Sequence, residues 1–312
     1  MMTQQQKVVG MIFCGVRTWS LLVILVLLWV HPAQAADSPQ EVPVVQSPQI
    51  LWKVQSPQNT IYLAGSIHVL QKEHYPLHHE FDKAFNASSR LMFEVDLDGL
   101  SSPLAQTNML RKGLYLTGES LPTVLSSESY ATATAGLAGL GQHIEDFHRM
   151  KPWMVATAVM ALELQKLGFE SAYGVDRHFF EKAKAAGKDI QGLETVEFQL
   201  NLFDQLSPAI QEQFLLQTLE DLKNLGTQVS DMVEAWKQGN VQELETLLAG
   251  MGEYPELNQT LVINRNHDWL PHVERALQEK EPVFIVVGAL HLLGKDGLVA
   301  MLKAKGYVVK QL

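Results

Sequence analysis

The chain has 312 residues, of which 46% are hydrophobic and 19% are charged, so it can build a packed core and is neither disordered nor a multi-span membrane protein. Its 34 acidic residues outnumber its 24 basic ones, and the formal charge of -10 argues against a nucleic-acid-binding surface. Cys14 is the only cysteine, which excludes disulfides and thiolate metal sites from the rest of the chain.

The first 35 residues have the organisation of a secretory signal peptide. Two basic residues precede an apolar run over residues 19–30, and Ala33 and Ala35 have the small-x-small spacing that signal peptidase recognises. The run is shorter than the roughly 20 residues that a spanning helix needs. We therefore expect cleavage before Ala36, an exported body in the periplasm or outside the cell, and no membrane span after cleavage. An uncleaved N-terminal anchor is the alternative.

Residues 36–48 are rich in proline and polar side chains and predict a flexible leader. The remainder, 49–312, is expected to form a single domain. Its first elements are two short β-branched and aromatic runs over 49–54 and 60–65, separated by the turn-forming sequence SPQN, which predict a hairpin. A large helical insert is expected over about 100–280.

A further strand is predicted over residues 90–97 (RLMFEVDL), after a helix over 78–86. The middle of the chain predicts helices because Pro or Asp stands at helix starts and Gly at helix ends, with apolar residues at helical spacing between them. They are expected over 151–167, 176–186, 196–206, 208–225, 227–238, 241–249 and 255–278, the last broken or kinked at Pro271, with a short strand over 189–193.

A strand over residues 283–287, a helix over 296–305 and a strand over 307–310 close the chain. Strands at both ends of a long helical region indicate an α/β fold with a mixed central sheet and a large helical insert.

One short pattern occurs twice, in TIYLAGSIHVL and in VFIVVGALHLL. In each, an apolar strand is followed by Gly-x-x-His, with Gly65 and His68 in the first copy and Gly288 and His291 in the second. A glycine where a strand ends lets the backbone turn or approach a ligand closely. The two histidines are expected on the loops at strand ends, where α/β proteins hold their sites.

Two imidazoles from neighbouring strand ends can share a metal ion or divide the roles of acid and base. A catalytic metal usually has three protein ligands and a water, and Glu94, inside the apolar run LMFEVDL, is the best third candidate. A carboxylate there is costly to bury unless it is paired or binds metal, although the exposed face of an edge strand would also explain it. Asp96, two residues further along, is expected on the same face and could supply a second carboxylate.

The closing segment VVGALHLLGKDGLVAMLKAKGYVV resembles the C-terminal signature of the TraB/PrgY/GumN family, also called the Tiki-like or GumN superfamily. ILWKVQSPQNTIYLAGSIHVL, FEVD, YGVDRHFFEKAKAAGK, QGLET and LVINRNHDWLPHVERAL are similar to the family pattern and occur in the expected order. The resemblance covers most of the chain from about Ile50. It implies an α/β fold with paired Gly-x-x-His motifs and a relation to Tiki-type metal-dependent proteases. It also implies a wider kinship with erythromycin-esterase-like and haem-binding ChaN-like proteins.

The resemblance also implies roles for individual residues. His68 and His291 match the motif histidines, and Glu94 matches the acidic residue after the first motif. Arg265 matches an arginine on the helix before the last Gly-x-x-His strand, where its fork suits a substrate carboxylate or an oxyanion; a surface salt bridge is the structural alternative. Glu194, in GLET, could be a ligand or general base, or a carboxylate that stabilises the start of the next helix.

We therefore expect an exported metal-dependent hydrolase that acts on a peptide or protein. In this interpretation His68, Glu94 and His291 hold a divalent ion (Mn, Co, Zn or Fe), Glu194 or Asp96 takes the proton of water, and Arg265 stabilises the oxyanion. One alternative is a metal-independent, esterase-like hydrolase. Another is a non-catalytic module that binds a peptide or haem. The sequence does not determine the oligomeric state.

Overall fold

The computed structural model describes residues 48–248 and 254–312. The predicted signal peptide and leader, apart from residue 48, lie outside the described residues. Within the two described ranges, none of the helices combines the length and the apolar character that crossing a bilayer requires.

A six-stranded mixed sheet forms the centre of the molecule, in the order β4-β3-β5-β2-β1-β6. The prediction of an α/β fold with a mixed central sheet is confirmed. The inner strands β2, β5 and β3 and the edge strand β4 run parallel, whereas β1 is antiparallel to both of its neighbours, β2 and β6. The strands are β1 (Leu51–Gln55), β2 (Thr60–Ser66), β3 (Arg90–Phe93), β4 (Asp189–Gly192), β5 (Val283–Gly288) and β6 (Val308–Gln311).

The predicted hairpin of β1 and β2 is present, and Ser56 stabilises its turn by accepting hydrogen bonds from the backbone N–H groups of Gln58 (3.1 Å) and Asn59 (3.0 Å). Strand β5, with the sequence VFIVVG, is buried at every position. A continuous apolar strand of this kind is typical of a parallel sheet that is covered on both faces. This explains why β5 lies between β3 and β2 rather than at an edge.

Helices follow most strands and cover both faces of the sheet. They are α1 (His79–Ala87), α2 (Leu97–Leu100), α3 (Pro103–Gly113), α4 (Leu121–Val124), α5 (Ser127–Gly139), α6 (Pro152–Lys166), α7 (Val175–Ala185), α8 (Val196–Asp204), α9 (Pro208–Asp221), α10 (Leu225–Lys237), α11 (Val241–Leu248), α12 (Pro255–Asn258), α13 (Asn264–Gln278) and α14 (Leu298–Ala304). Short 3₁₀ turns include Ser171–Tyr173, before α7, and Ala289–His291, after β5.

Two predicted elements differ from the structure. Strand β3 ends at Phe93 instead of continuing to residue 97, because the backbone bends at Glu94 and Asp96 then caps helix α2. Helix α13 runs through Pro271 to Gln278, so a break at this proline, one of the two predicted outcomes, is wrong. The irregular stretch lies upstream, where Gln259–Ile263 forms a wider π-helical turn between α12 and α13.

The strand directions place the candidate residues at one edge of the sheet. Strands β2, β3, β4 and β5 are parallel, so their carboxyl ends meet at the same edge. Open α/β sheets bind ligands at this edge, in the crevice outside the strand ends.

Candidate functional site

Arg265, near the start of α13, lies at the centre of a buried polar cluster and is 0% exposed. Its Nη2 donates to Glu94 (2.6 Å) and to Glu194 (2.5 Å), and its Nε donates to both oxygens of Glu194. Its Nη1 donates to the carbonyl of Leu261 (3.1 Å) and to His291 Nε2 (3.1 Å). Burial alone would lower the pKa of Arg265, but the two carboxylates outweigh burial and raise it.

Glu94 follows the last residue of β3 and is held from two sides. Its Oε1 accepts a hydrogen bond from the backbone N–H of Gly288 at 2.8 Å, and its Oε2 accepts from Arg265 and from Gln199 (3.3 Å). Burial would raise the pKa of this carboxyl, but Arg265 and the two neighbouring histidines together outweigh burial and hold the pKa well below its usual value. Glu94 is therefore an ionised carboxylate inside the protein, not an edge-strand residue that faces solvent.

His291 is a neutral imidazole whose two ring nitrogens both have partners. Asn266 donates from its Nδ2 to the carbonyl of Asp296. This hydrogen bond turns the Oδ1 of Asn266 toward His291 Nδ1, at 2.7 Å. Nδ1 therefore carries the proton, and Nε2 accepts from Arg265. Burial and the neighbouring arginine lower the pKa of His291 to about 3, in agreement with this assignment.

His68 follows the end of β2 and lies between two carboxylates. Its Nδ1 is 3.0 Å from Asp176 Oδ1, in the first turn of α7, and its Nε2 is 3.6 Å from Glu94 Oε1. Burial would lower the pKa of His68, but Asp176 and Glu94 outweigh it and raise the pKa to about 10. The two motif histidines thus differ in charge: His68 is protonated, whereas His291 is neutral.

The missing side chain of Gly288 leaves a space between these groups that is slightly too small for a methyl group. A β carbon added to Gly288 would be 3.2 Å from Glu94 Oε1, 3.3 Å from His68 Nε2 and 3.7 Å from His291 Cδ2. Because glycine has no side chain, the two polar atoms border a site that any other residue would fill. We call this space the Gly288 gap.

The other two predicted site residues have different positions. Glu194, just after β4, joins the cluster: it accepts hydrogen bonds from Arg265, Gln199 (2.7 Å) and Trp269 (2.9 Å), and burial raises the pKa of its carboxyl. Asp96 does not join it. Its side chain is exposed and caps α2 by accepting from the N–H of Asp98, because β3 ends before Asp96 can share a strand face with Glu94.

A family model named TraB/PrgY/gumN matches residues 50–311 of the chain. The chain belongs to this family. Among curated TraB/PrgY/gumN relatives, proteins called "Uncharacterized protein YbaP" from Escherichia coli K12 and from Shigella flexneri are each 26% identical over 242 residues, which covers 78% of this chain and 87% of theirs. An uncharacterized protein of Treponema pallidum is 24% identical over 49% of this chain and 46% of its own. No solved structure matches.

Three polar residues of this TraB/PrgY/gumN chain were not identified from its sequence: Asp176, Gln199 and Asn266. Each contacts a predicted site residue from a separate helix, namely α7, α8 and α13. Asn266 stands in the motif NRN and Asp176 in the motif YGVD, and these motifs could have indicated that both residues belong to the site. Gln199 has no such signal, because a glutamine on a helix is ordinarily a surface residue.

Glu94 lies close enough to each predicted histidine ligand for the pair to share an ion, but the predicted ligands do not form a complete ligand set. Both His68 Nε2 (3.6 Å) and His291 Nε2 (3.9 Å) lie within reach of Glu94 Oε1. Two ligands held at about 2.0–2.2 Å from one ion are at most about 4.4 Å apart. However, the lone pair of His291 Nε2 accepts a hydrogen bond from Arg265, and the described residues contain no group of three or more metal-ligating side chains positioned to hold an ion.

A larger cavity of about 630 Å³ lies between α3 and α6 and is lined mainly by apolar side chains, including Met109, Met150 and Met154. None of the cluster residues lines it. Val69, which follows His68, is the nearest of its lining residues along the chain.

Proposed function

We propose that this protein is a hydrolase that cleaves a peptide or protein bond with the help of a divalent metal ion. The observation that carries the proposal is the approach of both motif histidines to one buried carboxylate oxygen, Glu94 Oε1, beside the Gly288 gap. Buried ionisable groups whose pKa values are shifted in opposite directions are characteristic of functional sites. Structural ion-pair networks also have this property, so activity has to be measured.

The donor atoms available at the gap suit such an ion in part. Glu94 could bind it as it stands, and His68 could bind it after losing its proton, through an oxygen and a nitrogen that Mn, Co, Zn and Fe all accept. His291 could join them only after Arg265 Nη1 turned away from its Nε2. When bound, the ion would polarise the scissile carbonyl and lower the pKa of water.

In this proposal, Arg265 and Glu194 have roles that differ from those predicted from the sequence. A guanidinium has five N–H donors, and all five of Arg265 are directed at Glu94, Glu194, Leu261 and His291. None is left for a substrate oxyanion in this arrangement. The oxygens of Glu194 are likewise occupied. We therefore propose that Arg265 and Glu194 fix the Glu94 carboxylate in place.

A second candidate is a hydrolase that uses no metal. It is favoured by the 3.0 Å contact of His68 with Asp176 and by the hydrogen bond that occupies His291 Nε2. A carboxylate beside one imidazole nitrogen orients the ring, and the other nitrogen can then exchange a proton with water. In either case, hydrolysis adds the water oxygen to the acyl carbon and one water proton to the leaving amine.

The test is a comparison of metal-free and metal-loaded protein. Untagged protein is stripped with a chelator, its metal content is measured by mass spectrometry, and a fluorogenic peptide library is incubated with it alone and with Mn, Co, Zn or Fe added singly. Metal-dependent turnover supports the first candidate. Turnover by stripped protein supports the second. No turnover under any condition contradicts both and favours a non-catalytic module that binds a peptide or haem.

Substitutions identify the residues responsible. His68→Ala and His291→Ala should each abolish metal binding and turnover, and the double variant should be little worse than either, because ligands of one ion act as a unit. His267→Ala is the matched control, since His267 is an exposed histidine on the same helix as Arg265. Additive losses, or equal losses in the control, would contradict a shared ion.

A further inference from the structure

The hydroxyl of Ser66 is a buried polar group that the folded chain leaves unpaired. Ser66 is the last residue of β2 and is 2% exposed, and its Oγ has no hydrogen-bonding partner among the described residues. Buried hydroxyls are nearly always paired, because an unpaired one loses its hydrogen bonds to water and gains nothing in exchange. The unpaired hydroxyl of Ser66 therefore indicates a hydrogen-bonding partner that is not part of the chain.

The sheet places this hydroxyl beside the Gly288 gap. In the parallel pairing of β2 with β5, Ser66 lies opposite Gly288. Residues opposite each other in neighbouring strands project from the same face, and the strands are about 4.8 Å apart. The β carbon of Ser66 is therefore one strand away from the position that a β carbon of Gly288 would take. Glu94 Oε1 and His68 Nε2 border the same space.

We propose that Ser66 holds a water molecule next to Gly288, between Glu94 Oε1 and His68 Nε2, and that this water is the nucleophile of the hydrolase proposed above. Glu94 Oε1 and His68 Nε2 are 3.6 Å apart, which is too long for a direct hydrogen bond and suits a bridging water. A buried water typically makes two to four hydrogen bonds to protein, and the pairing of β2 with β5 puts Ser66 one strand away to supply a third. A hydroxyl can donate and accept at once, so Ser66 can keep a hydrogen bond while the water proton moves. The second part of the proposal rests on the proposed function, whereas the water site does not.

The first experiment compares two buried serines. Ser88 is also 2% exposed, but its Oγ donates to the carbonyl of Ala84 at 2.9 Å, and it lies at the end of α1, outside the cluster. Thermal unfolding should show a lower midpoint for Ser88→Ala and a smaller decrease for Ser66→Ala, because the water that pairs with Ser66 can leave for bulk solvent, whereas the carbonyl of Ala84 cannot. An equal loss of stability in both variants would show that Ser66 has a structural partner and would overturn the proposal.

The second experiment uses turnover of the peptide substrate found by the library screen. Ser66→Ala should lower kcat at least 10-fold with little change in KM, and Ser66→Thr, which restores a hydroxyl, should recover most of the loss. Ser88→Ala should retain wild-type kcat. Wild-type turnover by Ser66→Ala would overturn the role of Ser66 in the reaction.

The third experiment needs no activity, so it separates this inference from the proposed function. A high-resolution crystal structure of the full exported chain should show a water oxygen within about 3.0 Å of Ser66 Oγ, and the Ser66→Ala structure should lack it. If wild-type protein hydrolyses nothing, this water would still support the binding site. Its absence from the wild-type crystal would overturn the site whatever the activity.

Discussion

Arg265 shows how far one residue determines the state of its neighbours. Without its charge, two buried carboxylates, Glu94 and Glu194, would lie side by side with no cation between them. Removing one partner of a buried ion pair leaves an uncompensated charge, which is far more costly than losing the attraction itself. The cluster is therefore organised by the arginine, which the sequence analysis expected to stabilise an oxyanion.

Arg265→Met should lower the free energy of unfolding by about 3–5 kcal/mol, because it leaves Glu94 and Glu194 buried without their cation. Arg90→Met is the control, since Arg90 pairs with the partly exposed Glu279 and such a pair contributes about 1 kcal/mol or less. Urea denaturation of both variants measures the difference. Equal losses would mean that the cluster does not depend on the buried cation.

Asp176→Asn should weaken metal binding, or turnover if no metal is used, by about 10–100-fold, because the carboxylate orients His68 from its Nδ1 side. Stability at neutral pH should also fall, because the charge of Asp176 helps to keep the buried His68 protonated. Calorimetric metal titration and the peptide assay measure the effect. Glu181→Gln, on the same helix and paired with Arg177, should behave like the wild type, and a comparable loss there would argue against an orienting role for Asp176.

At the scale of elements, the two motif glycines stand at similar strand ends, but only one of them borders the site. Both motif glycines were expected to allow a turn or a close approach to a ligand, but their surroundings differ. A β carbon at Gly65 would overlap the side chain of Ile50 and lie 3.0 Å from the backbone of Ala289, whereas one at Gly288 would meet only side-chain atoms of the cluster. Gly65 is thus a packing position, and Gly288 adjoins the site.

Gly65→Ala should therefore lower the free energy of unfolding by about 1–3 kcal/mol, as overpacking of a core does. Gly288→Ala should lose less stability than Gly65→Ala, since its β carbon is 3.2 Å from the nearest atom, whereas a β carbon at Gly65 overlaps Ile50. It should nevertheless lose metal binding and turnover, because the added methyl displaces Glu94 and His68. Denaturation and activity measured on the two variants provide the comparison. A Gly288→Ala protein that is both stable and fully active would show that the gap is not used.

The elements were predictable where a local signal exists. The SPQN turn, the apolar run of β5 and the Pro and Gly residues at helix ends sufficed for the hairpin, the central strand and most helices. The end of β3 was missed because the bend at Glu94 depends on a hydrogen bond from Gly288, which is 194 positions away in the chain. The contacts of Asp176 and Gln199 were missed for the same reason, since no sequence pattern specifies a contact between separate helices.

At the scale of the whole molecule, the predicted signal peptide can be tested by its cleavage. We expect the exported protein to begin at Ala36, because Ala33 and Ala35 occupy the two small-residue positions before it. Intact-mass measurement on protein from the periplasm or the medium checks this directly, with an Ala35→Arg variant, which blocks the small-residue position, as control. Retention of residues 1–35 in the wild-type protein would favour a membrane anchor.

The strand order has a consequence for how the protein acquires its site during synthesis. The central pairing joins Ile61 to Val283, so the middle of the sheet closes a loop that spans most of the chain. Contacts of such long sequence separation slow folding, because chain entropy is lost before they form. Until the ribosome has delivered the last strands, β2 and β3 lack the neighbour that lies between them. We expect a chain that stops before Val283 to expose apolar strand edges and aggregate, so the polar cluster can form only after β5 has been synthesised.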